Sequence, residues 1–148
     1  MNPIHNQMKT ISLLIGVVCA ALLMGALRAA PIEGSAVIAN KDVPADSLSA
    51  ATLKDIYTGK TAYWEGGQSV VIAVLAGNMD AALKEVSGMD ASQFKTFWQR
   101  LVFSGRGQLP RKAENADSLV ALVASTRGAI ALAPADAGLK DVKILEVK

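Results

Sequence analysis

Apolar runs and amphipathic stretches alternate along the chain. Ser35-Ala-Val-Ile-Ala39 is apolar and stops at Asn40-Lys41-Asp42. A short apolar run closed by turn residues predicts a buried strand. Leu53, Ile56 and Tyr57 then fall at helical spacing within Ala50–Tyr57, with Ser49 placed as N-cap and Gly59 as the stop. Tyr63-Trp64 and Gly66-Gly67 read as an aromatic loop and a turn. Ser69-Val-Val-Ile-Ala-Val-Leu75 is continuous and β-branched, the pattern of a strand covered on both faces.

Gly77-Asn78 breaks that strand, and Met79–Val86 predicts a helix. Met89-Asp90-Ala91-Ser92 opens a longer one, with Phe94, Phe97, Trp98, Leu101 and Val102 as its apolar stripe and Ser104-Gly105 as its end. Residues 104–112 read as a polar loop containing glycine. Asn115 or Asp117 caps a helix through Leu119, Val120, Leu122 and Val123, which Arg127-Gly128 stops. Ala129–Ala133 and Val142–Val147 close the chain as strands. In the last, Lys143, Leu145 and Val147 share one face, and Val142, Ile144 and Glu146 the other. Strands alternating with helices predict an α/β fold, a small mixed sheet flanked by helices, forming one domain over residues 30–148.

The first 29 residues follow a different rule. Ile11–Leu27 carry no charge, Lys9 precedes them, and Arg28-Ala29-Ala30 follows. A basic start, an apolar run and a small-residue exit predict a secretory signal peptide cut after Ala29, and hence a periplasmic protein. The alternative is a retained inner-membrane anchor, since this run sits at the short end of the roughly 17–25 residues that span a bilayer.

Composition narrows the chemistry. The only cysteine, Cys19, and the only histidine, His5, both lie in that leader. Residues 31–148 hold 13 basic and 13 acidic residues and neither Cys nor His. This excludes Cys and His nucleophiles, Ser-His-Asp triads, disulfides and thiolate or imidazole metal sites. A net charge of zero also excludes the basic footprint of a nucleic-acid binder. Asp42 with Asp46 and Asp136 with Asp141 read as turn residues, leaving no carboxylate pair for acid–base work. A binding protein without catalysis, metal or cofactor is expected.

The order of segments is itself informative. Ala36-Val-Ile-Ala-Asn-Lys41, Leu48-Ser-Ala-Ala-Thr-Leu-Lys-Asp-Ile-Tyr-Thr-Gly-Lys60 and Trp64 resemble the second lobe of the phosphate-type periplasmic solute-binding proteins, with the fold of one type II lobe. Ser69–Leu75, Phe97-Trp98 and Asn115–Ile130 continue the likeness, which covers roughly residues 36–134. The resemblance implies an exported component of a phosphate importer, with an ABC permease as partner. In that family the loop after the central strand resembles Arg-Ser-Asp-Gly-Ser-Gly-Thr and offers an arginine, hydroxyls and helix amides to the anion. Here that stretch is Leu75-Ala-Gly-Asn-Met-Asp-Ala81, with Leu75 in the arginine's place and Met79 and Ala81 in the hydroxyls'.

Three groups of residues are candidates for contact. Gly77-Asn78 joins a strand to a helix, where free amides and the helix dipole attract a small oxyanion. Asp80 in the first turn opposes this, and the plain alternative is an N-cap at Asn78. Arg106-Gly107 with Arg111-Lys112 is the densest basic group. Arginine can grip an oxyanion through paired hydrogen bonds, and the plain alternative is a solvated loop. Trp64, beside two glycines, is the aromatic expected to be exposed and to touch a protein partner. The second functional expectation is therefore an accessory module that docks on another envelope protein.

Overall fold

The computed structural model describes residue 32, residues 34–77 and residues 79–148. The leader and Asn78 lie outside the described residues. Among the described residues no helix is long and apolar enough to cross a membrane. Six strands, β1 (Ser35–Ala39), β2 (Ser47–Leu48), β3 (Val71–Leu75), β4 (Arg111–Ala113), β5 (Ala129–Pro134) and β6 (Lys143–Val147), form one sheet in the order β2-β6-β1-β5-β3-β4. Strands β3, β4 and β5 run parallel to one another, while β1 is antiparallel to both β5 and β6. The expected mixed sheet is thus present. Among the described residues four helices accompany it: α1 (Ala50–Tyr57), α2 (Asp80–Ser87), α3 (Ala91–Phe103) and α4 (Ala116–Ser125).

Side-chain size along the strands decides which helix lies on which face. In β5 the large residues Ile130 and Leu132 point one way, and Ala129, Ala131 and Ala133 the other. Ile130 and Leu132 join Leu53, Ile56, Phe94 and Trp98 in the larger core, under α1, α2 and α3. The alanines, with Ala73 and Ala113, form a flat floor for Leu119, Val120 and Val123 of α4. Small side chains let a helix approach a sheet closely and keep the interface dense.

The helix ends follow local chemistry. The Ser49 hydroxyl accepts from the Thr52 N–H at 3.0 Å, and Asp90 and Asn115 each close a reciprocal capping box with Gln93 and Ser118. Asn40, buried after β1, donates to the carbonyls of Val123 and Ala124, both at 2.9 Å, and its Oδ1 accepts from the Asp42 N–H. This one side chain pins the C-terminus of α4 to β1 by bonding carbonyls of the helix's last turn, one of which, Val123, also accepts from the Thr126 N–H at 3.4 Å. Gly128, at φ +74°, turns α4 into β5, and an added Cβ there would strike the Ser69 carbonyl.

Two elements depart from expectation. Ser47-Leu48, just before the N-cap Ser49, forms a short strand paired with β6 that the sequence pattern does not predict. The supposed loop 104–112 contains β4, an edge strand made of Arg111, Lys112 and Ala113. Charged residues on an edge discourage pairing with foreign strands, so its composition imitates a loop.

Candidate functional site

The sheet directs attention to the C-terminal ends of β3 and β4. From β3 the chain passes through Gly77 to α2 and α3 on one face before returning as β4. From β4 it passes through Asn115 to α4 on the other face. Connections that leave neighbouring parallel strands toward opposite faces open a crevice between them, where α/β proteins receive ligands. The Ala76 N–H donates to the Ala113 carbonyl at 2.8 Å, which ties the two strand ends together.

Gly77 sits at this crevice with φ +78°, and an added Cβ would meet nothing within 4 Å. The loop is therefore open on its outer side. The helix it feeds begins at Asp80, and its N-cap position belongs to Met79, which makes no side-chain capping bond. Asp80 Oδ1 accepts from the Ala91 N–H at 3.2 Å, so this carboxylate spans the starts of α2 and α3. Across the crevice, α4 carries Asp117 in its first turn. Both helices thus present free amides together with an aspartate that complements the dipole.

The other expected residues lie elsewhere. Arg106 and Gly107 follow the C-terminus of α3, whereas Gly77 lies by its N-terminus. Thirteen residues of helix, about 20 Å, separate the two ends. Gly107 rests on Trp98, where an added Cβ would come 3.1 Å from its ring. Arg111 faces the α4 side of the sheet, with Nη1 3.4 Å from Thr126 Oγ1 beyond the helix end. The structure does not bring these arginines to Gly77.

Trp64 is a correction. It is 6% exposed and belongs to the core, and its indole N–H donates to the Gly128 carbonyl at 2.9 Å. The glycine turn beside it folds the ring inward to meet that carbonyl. The solvent-facing aromatics are Tyr63, at 64%, and Phe103, at 96%.

One residue near the crevice gave no functional signal in the sequence. Tyr57 falls at helical spacing with Leu53 and Ile56 and reads as core, as its 1% exposure bears out. Its hydroxyl, however, has no hydrogen-bond partner among the described residues. Burial pushes the phenol well above its usual range, and the nearby Leu132 backbone, which lacks hydrogen-bonding geometry toward Oη, opposes this only in part. Tyr57 borders a cavity of about 40 Å³ together with Leu75, Gly77, Asp80 and Leu132. A space of that size holds about one water. Among the described residues no group of three or more Asp or Glu side chains could hold a metal ion.

No protein-family description and no curated protein matches the sequence. Solved structures do match. A protein of Clostridium perfringens described as a phosphate ABC transporter substrate-binding protein, with bound phosphate, aligns over 77% of this chain and 44% of its own, with a TM-score of 0.61 and 21% identity. An ABC-type phosphate transport receptor from Vibrio cholerae aligns over 77% and 46%, at TM-score 0.53 and 17% identity. PstS from Borrelia burgdorferi aligns over 77% and 47%, at 0.54 and 11%. The chain spans less than half the length of each. At these identities the likeness is one of fold: the chain is built like one lobe of a phosphate-type solute-binding protein.

Proposed function

We propose that the protein is an exported, non-enzymatic solute-binding lobe that meets a small oxyanion, such as phosphate, at the crevice between β3 and β4. The observation that carries this reading is that two helices start from the C-terminal ends of the paired strands β3 and β4, α2 after the open position at Gly77 and α4 after Asn115. Unpaired amides at two dipole ends attract an anion without any arginine. Asp80 and Asp117 weaken the attraction. The face of this lobe by itself covers little of a ligand, so the affinity of residues 30–148 alone is modest.

Thermal unfolding with phosphate and with sulfate at low ionic strength tests this. Melting temperature should rise with ligand concentration by mass action. Asp80→Asn keeps an acceptor for the Ala91 N–H and removes the charge, so it should tighten binding several-fold. No response of either protein at millimolar ligand counts against the reading.

A second reading has its own support. Leu75, Asp80 and Asp117 make the crevice less anion-friendly than the resembled family's loop. On this reading the lobe is an accessory module whose crevice edge faces an ABC permease or another envelope protein. Phosphate-independent binding to such a partner, abolished by substitutions at Gly77 but not at distant surface residues, would favour it.

A further inference from the structure

A larger cavity opens at the end of β3 beside Gly77 and runs between α3 and the β4 edge. It measures about 620 Å³, and Leu83, Phe94, Trp98 and Leu109 supply apolar walls. Lys95 and Lys112 also line it, and no carboxylate does among the described residues. A second hollow of about 640 Å³ shares Gln99 and Leu109 with it and runs on to Phe103 and Arg100. The two form one trough along α3, ending at a phenylalanine that is 96% exposed. An apolar trough of this size marks a binding surface.

The charges select the occupant. The four ion pairs among the described residues use Asp42, Asp46, Asp55 and Asp141. None involves Lys95, Arg100 or Lys112, so the trough is bordered by cations that lack a counter-charge. A second copy would bring the same cations against each other. A foreign strand would meet Pro110, which lacks an N–H, on an edge already carrying Arg111 and Lys112. A slender ligand with an apolar tail and one negative head avoids both conflicts.

We propose that the trough binds an amphiphilic monoanion, an unbranched acyl chain whose carboxylate lies between Lys95 and Lys112 and whose tail lies over Trp98 and Leu109 toward Phe103. The proposal does not rest on oxyanion binding: its contacts are Lys95, Lys112, Trp98 and Leu109, although Gly77 lines the near end of the same cavity.

Calorimetric titration of the protein with dodecanoate, below the concentration at which it forms micelles, tests the proposal. One saturable site is expected. Acetate, which has the head without the tail, should not bind. Dodecyltrimethylammonium, which has the tail with the opposite charge, should bind at least tenfold more weakly. Lys95→Gln with Lys112→Gln should weaken dodecanoate at least fivefold and leave the melting temperature unchanged, because both side chains are exposed. The proposal is overturned by the absence of saturable dodecanoate binding, by equal binding of the cationic amphiphile, or by an unchanged affinity in the double variant. Concentration-dependent dimerisation that the double variant enhances would also overturn it, by assigning the trough to a second copy.

Discussion

Tyr57→Phe should stabilise the protein. The substitution removes a single oxygen from a side chain that is 1% exposed and leaves the ring in place. That ring packs on Phe94 with centroids 6.0 Å apart, a contact phenylalanine preserves. The lost hydroxyl has no partner among the described residues. An unsatisfied buried polar group costs about 1–3 kcal/mol. A gain near the lower end, about 1 kcal/mol, is expected, because a water in the adjoining cavity of about 40 Å³ would already satisfy part of the need. For a domain of this size that is a rise of roughly 3–6 °C in Tm.

Urea unfolding followed by tryptophan fluorescence measures it, with the midpoint rising and the slope unchanged. The pH dependence carries a second signature. Below the ordinary tyrosine value of 10.0 the phenol is protonated in both the folded and the unfolded states, so it adds no pH dependence. Above that value the unfolded phenol ionises while the buried one resists. Wild-type stability should therefore fall as pH rises past the unfolded value, and the phenylalanine variant should fall less. A variant destabilised by about 1 kcal/mol or more would refute the reasoning, since the hydroxyl would then have a strong partner.

Other substitutions probe the frame that holds the crevice. Asn40→Ala leaves the Ala124 carbonyl and the Asp42 N–H without this partner and the Val123 carbonyl with only the long bond from the Thr126 N–H, and should cost about 2–3 kcal/mol in urea unfolding. Gly128→Ala must accept both a left-handed backbone and a collision with the Ser69 carbonyl. A loss of about 2 kcal/mol or more in calorimetric stability is expected, whereas Gly138→Ala, with open space around it, should be nearly neutral. Ala131→Leu enlarges the floor beneath α4 and should destabilise by about 1–3 kcal/mol, with early hydrogen exchange in α4 as the local readout.

Much of this frame is legible in the sequence because its signals are local. Ser49 and Asn115 precede periodic apolar residues and do cap helices. The alternation Ala129-Ile-Ala-Leu-Ala133 even encodes which face is close-packed, although the sequence does not say which helix covers it. What is lost depends on distant partners. Two residues, Ser47 and Leu48, become a strand only because Glu146 and Val147 lie alongside. Trp64 looks exposed in a glycine-rich loop until Gly128, brought in by β5, accepts its N–H. The crevice illustrates the same limit. Gly77 was visible as a strand–helix junction, but the separation of Arg106 from it follows from the direction of α3, which no spacing reveals. The β4 edge was hidden for another reason, since a charged edge strand and a solvated loop share a composition.

On the proposed reading an anion meets this lobe at the junction of β3 and β4. Amide proton–nitrogen correlation spectra recorded during a titration with inorganic phosphate test it most directly. Saturable shifts are expected at Gly77, Met79 and Asp80 and at Ala116–Ser118, with larger shifts in Asp80→Asn. Shifts confined to Arg106, Gly107 and Arg111, or no shifts at millimolar phosphate, would contradict it.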